Sequence, residues 1–231
     1  MIESMPISER IAIFDLDGTL IDAVPDIVSA INHVMDDYKL PPVSLAEAAS
    51  LMGDGLRQFA LRVFQRRGLT AGEDDIATFI EHYSRHPVIR TKLYPDVADT
   101  LNALADAGWR LIVCSNKKEA LADRILDQLG IRSYFAVVCG GDTVVAHKPD
   151  PSHLAEALSR ANGKADQAVM IGDYQADIWP ARILGIPSIF ASWGYGRQEM
   201  GDQATRIAER FKDLPALLDE VRPAVAASAE P

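Results

Sequence analysis

Four short apolar runs, each stopping at a cluster of polar residues, constrain this chain more than any other feature. They are Ile11-Ala12-Ile13-Phe14, Leu111-Ile112-Val113-Cys114, Phe135-Ala136-Val137-Val138 and Ala168-Val169-Met170-Ile171. Each is short, continuous and rich in β-branched residues, which suits a strand covered on both faces, as in a parallel sheet. Ile186-Pro187-Ser188-Ile189-Phe190 predicts a fifth strand, its proline near the start where a missing N–H matters least. Between the runs lie helical patterns. Val97, Leu101 and Leu104 share a face before Gly108; Leu121, Ile125 and Leu129 before Gly130; Leu154, Ala157, Leu158 and Ala161 before Gly163. Strand–helix alternation at this spacing predicts an α/β fold, a doubly wound parallel sheet with right-handed crossovers.

One stretch breaks the alternation. From about Asp22 to Lys92 only helical faces occur: Ile27, Ile31, Val34 and Tyr38; Leu56, Phe59, Val63 and Phe64; Ile76, Phe79, Ile80 and Tyr83. Pro41-Pro42, Gly53, Gly55, Gly68 and Gly72 punctuate them. The expected organisation is therefore an α/β core of residues 1–21 and 93–231, with an inserted α-helical domain of residues 22–92. The Ala/Ser/Pro-rich end, Arg222 to Pro231, is expected to fray.

The 231 residues suit one large domain or two small ones, and 48% hydrophobic with 24% charged residues is ordinary globular composition. With 23 Lys+Arg against 33 Asp+Glu the net charge is −10, which argues against nucleic acid or an anionic membrane as partner. A small anion stays possible, because a local site can reverse the mean field. Cys114 and Cys139 make neither a disulfide framework nor a metal quartet and read as small buried hydrophobes. The opening MIESMPISER has no apolar signal core, and no window approaches the about 18 apolar residues of a membrane span. The expectation is a soluble cytoplasmic protein, with the choice between monomer and dimer left open.

The chemistry gathers where the strands stop. The first run ends in Asp15-Leu16-Asp17-Gly18-Thr19-Leu20 and the second in Ser115-Asn116-Lys117; after the third comes His147-Lys148-Pro149-Asp150-Pro151, and the fourth ends in Gly172-Asp173-Tyr174-Gln175-Ala176-Asp177. In a parallel sheet these ends open on one edge, where ligands of such folds bind. Crowded carboxylates repel, and a hard divalent cation relieves them; Mg²⁺ accepts a few carboxylates together with waters and phosphate oxygens. Lys148, Ser115 and backbone N–H groups supply what anionic phosphoryl oxygens need. The inventory points to phosphoryl transfer, in which a carboxylate can act as nucleophile through an aspartyl phosphate. Taken singly, Asp15 and Asp17 read equally well as a turn or a helix cap, Ser115 as a helix N-cap, and Asp177 as a residue favouring the helix dipole. Asp150 and Ser152 read as helix-start chemistry, and His147 as a structural or solvated histidine.

Taken together, in this order, the motifs resemble the four signatures of the haloacid dehalogenase-like hydrolases, and the helical insertion stands where that family carries its α-helical cap. The resemblance implies that Asp15 is the nucleophile and Asp17 the general acid/base, whose backbone carbonyl also meets the metal. It implies that Asp173 ligates Mg²⁺ and Asp177 supports the metal site. Ser115, Asn116 and Lys148 would hold the phosphoryl group, with Lys148 also on Asp15, while Gly18 lets backbone approach the phosphate and Thr19 bonds the loop. Two departures stand out: Tyr174 is bulkier than the small residue often found there and is expected to narrow the site mouth, and Pro180 is expected near a first helical turn or at a kink.

Within that family a second aspartate at Asp17 marks phosphatases and phosphomutases and argues against dehalogenation. The glycine-rich stretch Met52-Gly53-Asp54-Gly55-Leu56-Arg57 could lower onto the site, with Arg57 either gripping a second anionic group of the substrate or lying on a helix surface. Trp193-Gly194-Tyr195-Gly196 resembles a stretch of phosphoglycolate phosphatase-like members, which makes 2-phosphoglycolate the leading small phosphorylated metabolite. Sugar phosphates, pyrophosphate and nucleoside monophosphates are the other candidates. The alternatives to a phosphomonoester hydrolase are a sugar phosphomutase and a non-enzymatic phospho-acceptor module.

Overall fold

Strand β1 (Ile11–Phe14) is buried throughout and leads into a short strand, β2 (Ile21–Asp22). The computed structural model describes residues 10–221, so the expected fraying of Arg222–Pro231 lies outside the described residues. Four helices follow: α1 (Val24–Asp37), α2 (Leu45–Ala49), α3 (Leu56–Arg66) and α4 (Glu73–Arg85). The chain then returns through β3 (Lys92–Leu93), which pairs antiparallel with β2, Ile21 opposite Leu93 and Asp22 opposite Lys92. The helical insertion is thus entered and left through one two-stranded ribbon.

After the ribbon the alternation is regular: α5 (Val97–Asp106), β4 (Arg110–Ser115), α6 (Glu119–Gln128), β5 (Phe135–Gly140), α7 (Pro151–Arg160), β6 (Ala168–Gly172), α8 (Gln175–Ile183), β7 (Ser188–Ala191), β8 (Arg206–Ala208) and α9 (Leu214–Val221). The sheet order is β5-β4-β1-β6-β7-β8 and every pairing in it is parallel. Successive residues of β1 serve opposite faces. Ile11 and Ile13 join an apolar cluster with Leu154, Leu158 and Met170, while Ala12 and Phe14 join one with Leu101, Ile125 and Phe211. Both faces are covered, which is why the strands read as continuous apolar runs rather than alternating ones. The second cluster continues into the insertion through Ile27, Phe59 and Phe79, so the two parts share apolar packing.

Three details differ from the sequence reading. The fifth strand begins at Ser188 rather than Ile186, because the Ile186 N–H still bonds the Ala181 carbonyl at the end of α8 (2.8 Å). A sixth strand, β8, was not foreseen: Arg206 and Ile207 are exposed on the sheet edge, so the apolar signal is missing. Pro180 lies inside α8, past the first turn that is one of its two expected places, and the Ala176 carbonyl cannot receive the helical bond from residue 180. No helix among the described residues is long and apolar enough to cross a membrane.

Candidate active site

The sheet order sets the site. β1 is central, with β4 on one side and β6 on the other, so residues just past their ends converge. The Asp15 N–H bonds the Ile171 carbonyl (2.9 Å), carrying the ladder one residue beyond β1 before the chain turns. The turn is tight: the N–H groups of Thr19, Leu20 and Ile21 all reach the Leu16 carbonyl. Gly18 makes this possible with φ +88°, and a Cβ there would stand 2.2 Å from the Asp173 carboxylate. Both conformation and space exclude a side chain.

On the sheet side, Lys148 is the hub. Its ammonium donates to Asp15 Oδ1 (2.8 Å), Asp177 Oδ1 (2.6 Å) and the Cys114 carbonyl (2.7 Å), using all three protons. Burial alone would push this lysine down, but Asp15 and Asp177 hold it above its ordinary range. The Asn116 amide donates to the Lys148 carbonyl (2.8 Å) and the Lys148 N–H reaches His153 Nδ1 (3.3 Å), which fixes the loop. Oxygens of Asp15, Asp173 and Asp177 lie within 4.8 Å of one another. Asp173 accepts from Thr19 Oγ1 (2.9 Å) and from the Tyr195 N–H (2.8 Å). Burial, and then the charges of Asp15 and Asp177, push the Asp173 carboxyl well above the usual carboxylate range.

On the insertion side the arrangement is different. Asp17 Oδ2 is paired with the Lys117 ammonium at 2.9 Å, while its buried Oδ1 has no hydrogen-bond partner among the described residues. Burial raises the Asp17 carboxyl, Lys117 draws it down, and Asp15 pushes it up again. Lys117 also donates to the Tyr83 hydroxyl (3.1 Å) on α4 and sits 4.7 Å from that ring's centroid. The segment Met52–Leu56 covers the mouth: Met52, Gly53, Gly55 and Leu56 line the pocket with Tyr174, Tyr195, Ser115 and Asn116. Arg62 anchors this loop through Asp54 and through the Leu51 carbonyl (3.0 Å). Gly53, at φ +128°, lies flat against Tyr174, whose ring would be 2.3 Å from any Cβ placed there. Tyr174 therefore narrows the mouth as its size predicts.

Asp15, Asp17, Gly18, Thr19, Ser115, Asn116, Lys148, Asp173 and Asp177 all come together here. Arg57 does not. Its guanidinium forks onto Glu73 at the start of α4 (2.8 and 2.5 Å) on the exposed surface of the insertion. Carboxylate and guanidinium match in planar geometry, and the sequence offers no sign of which partner wins. Two residues at the site carry no role in the sequence reading. Lys117 stands there only as the end of a motif, and its bond to Tyr83 requires α4 to be in place. Tyr195 donates its N–H to Asp173, and its hydroxyl contacts Asp22 (2.9 Å) and the Ala23 N–H (2.8 Å) at the ribbon. The Trp193-Gly194-Tyr195 stretch was the available signal, with Trp193 Nε1 bonding the Thr19 carbonyl (3.0 Å).

A sequence profile of the haloacid dehalogenase-like hydrolases matches residues 12–191, from β1 to the end of β7. The chain belongs to this family. Among similar family proteins is the phosphoglycolate phosphatase of Agrobacterium fabrum, 38% identical over 98% of this chain and 99% of the relative. That of Mesorhizobium japonicum is 37% identical, covering 92% and 96% of the two chains. The crystal structure of a predicted phosphoglycolate phosphatase from Haemophilus somnus superposes with a TM-score of 0.82 at 28% identity, covering 90% of this chain and 97% of that one. Family and relatives make this chain an enzyme, a phosphatase with a haloacid dehalogenase-like fold.

Proposed function

We propose that the enzyme is a Mg²⁺-dependent phosphomonoesterase working through an aspartyl phosphate, with residues 22–92 as its cap and 2-phosphoglycolate as its substrate. The carrying observation is the contrast between two aspartates two residues apart. Asp15 is clamped by Lys148 among carboxylates, whereas Asp17 keeps a buried oxygen unpartnered at the pocket. The first suits a nucleophile and the second a proton carrier.

The residues present fit a hard divalent cation. Oxygens of Asp15, Asp173 and Asp177 lie close together while the Lys148 ammonium pairs with Asp15 and Asp177, so one positive charge offsets only part of the cluster; burial first, and then the charges of Asp15 and Asp177, raises the Asp173 carboxyl. Oxygen donors of this kind suit Mg²⁺, which these carboxylates and the Asp17 carbonyl would hold. When bound, the ion would neutralise charge building on the phosphoryl oxygens.

The protein groups divide the remaining work. An Asp15 carboxylate oxygen bonds to phosphorus as the bond from phosphorus to the ester oxygen breaks, and Asp17 gives its proton to the departing alkoxide. Lys148, held beside Asp15, keeps the carboxylate aimed and faces the phosphoryl charge. The Ser115 hydroxyl, the Asn116 amide and the Gly18 turn line the phosphoryl pocket. Asp17, now deprotonated, takes a proton from water as that water attacks phosphorus, releasing phosphate and restoring Asp15. The cap loop and Tyr174 exclude bulk water and favour a small leaving group.

The substrate assignment is supported by relatives named phosphoglycolate phosphatase at 30–38% identity and by the narrow, covered mouth. Phosphate release from a panel of monoesters tests it. The expected result is highest kcat/KM for 2-phosphoglycolate, silence in EDTA, and recovery with added Mg²⁺. Undiminished turnover in chelator, or isomerisation of a sugar phosphate without free phosphate, would overturn the reading.

A further inference from the structure

We propose that Tyr83 of the cap and Lys117 of the core act as a positioning pair for Asp17, so that the acid/base group is correctly aimed only when α4 is seated on the core. This rests on the reading of Asp17 as the proton carrier and adds the means by which the cap governs it.

The geometry is specific. Lys117 is nearly inaccessible, with a side chain 1% exposed, and its ammonium spans two elements, Asp17 Oδ2 at 2.9 Å and the Tyr83 hydroxyl at 3.1 Å. Its backbone is fixed on both sides: its N–H contacts Ser115 Oγ (3.3 Å) and its carbonyl accepts from the Gly141 N–H (2.9 Å). The reach of the side chain is therefore set, and Tyr83 decides where the ammonium comes to rest. Tyr83 is 1% exposed and contributes both its hydroxyl and its ring face. The end of α4 is tied to the core next door, since Arg124 on α6 donates to the Ser84 carbonyl. Holding Oδ2 leaves Oδ1, the unpartnered oxygen, as the one that gives its proton to the leaving oxygen while the Asp15–phosphorus bond forms.

An ammonium buried beside one carboxylate needs its remaining protons satisfied, or it turns toward the nearest alternative acceptor. Without Tyr83 that alternative is the substrate pocket, which Lys117 also lines. The sequence places these partners in different domains, so the contact exists only in the assembled cap–core state. Asp17 is then a fully formed proton donor in a covered site and a less ordered one when the cap is displaced.

The test compares leaving groups. An alkyl ester such as 2-phosphoglycolate needs a proton on its departing oxygen; p-nitrophenyl phosphate does not. Asp17→Asn, Lys117→Met, Tyr83→Phe and the Asp17→Asn/Lys117→Met double variant are measured for kcat on the first substrate. The second reports the pre-steady-state burst of p-nitrophenol, which precedes the water step. Lys117→Met is expected to lower kcat on 2-phosphoglycolate at least about tenfold, and the burst rate by less than about threefold. Tyr83→Phe keeps the ring and is expected to lower the same kcat about threefold with KM unchanged. The double variant should be no worse than Asp17→Asn, because residues acting as a unit do not add.

Equal losses on both substrates, an effect confined to KM, or additive losses in the double variant would overturn the pair. Should Lys117→Met fail to fold, Tyr83→Phe, which leaves the charge pair intact, decides the matter by the same leaving-group comparison. Asp17→Asn separates the two levels: if it shows no leaving-group dependence, the acid/base reading itself fails. If it does and the Lys117 and Tyr83 variants do not, only the positioning pair falls.

Discussion

The two sides of the active site are built by different means. On the sheet side, Asp15 and Asp173 directly follow strands β1 and β6, Asp177 stands in the first turn of α8, Lys148 comes from the loop after β5, and their bonds cross between neighbouring core segments. On the cap side, Asp17 is held by Lys117, Lys117 by Tyr83, and the mouth by Gly53 against Tyr174. The sheet side lies within the α/β core, where Lys148 offsets part of the repulsion between its carboxylates. The cap side joins the α/β core to the helical insertion, so its order depends on their contact. A fold of this kind can keep its nucleophile fixed while letting the cap decide when proton transfer is possible.

The largest effects should come from the sheet side. Asp15→Asn removes the nucleophile and is expected to bring phosphate release to the background rate, checked by steady-state assay at saturating substrate. Lys148→Met comes next. It leaves the half-buried Asp15 and the buried Asp177 without their shared ammonium, so both activity and stability fall, by at least about 10²-fold in kcat and about 3 kcal/mol in chemical denaturation. A Lys148 variant that loses activity but not stability would show that the hub carries less of the sheet side than its three bonds suggest.

On the cap side the expected signature is altered choice rather than lost chemistry. Tyr174→Ala should open the mouth where the ring meets Gly53, lowering kcat/KM for 2-phosphoglycolate about tenfold and raising it for larger sugar phosphates. A uniform loss across the substrate panel would remove Tyr174 as a size filter and blur the distinction between the two sides.

A separate effect, read in stability rather than in turnover, concerns the support behind Lys148. Burial, and secondarily the Lys148 charge, push His153 down to about 4 from its ordinary 6.5. The folded state therefore prefers the neutral ring, and the unfolded chain binds the proton first as pH falls. Stability from this residue is present above about pH 6.5 and is lost progressively toward about pH 4. Between about pH 7 and about pH 5 the loss should be about 2 kcal/mol, and a His153→Gln variant should lack that share. An identical pH slope in the variant would take His153 out of the sheet-side network.

The same division explains what could be read from the sequence. Ile11–Phe14, Leu111–Cys114 and Ala168–Ile171 declare themselves because both faces of the sheet are covered, and their polar stops mark the site edge without any tertiary knowledge. Arg206–Ala208 does not declare itself, since an edge strand needs no apolar face. Lys117 and Tyr83 are 34 positions apart and meet only through the seating of the cap, which no local pattern encodes. Arg57 illustrates the converse. Its place beside a glycine-rich loop suggested an anion site, and Glu73, 16 residues on, satisfies it instead. Local periodicity specifies the scaffold, whereas the pairing of long charged side chains across domains is settled by which partner the assembled fold brings nearest.

The central claim is that Asp15 itself takes the phosphoryl group, and it is tested most directly by catching it there. Asp17→Asn protein, in which attack by water is slowed, is mixed with p-nitrophenyl phosphate and Mg²⁺, quenched in acid during the first turnover, and mapped by peptide mass spectrometry. The account predicts one phosphoryl group on the peptide containing Asp15 and on that residue. Release of p-nitrophenol with no phosphorylated peptide, or with the group on another side chain, would contradict it.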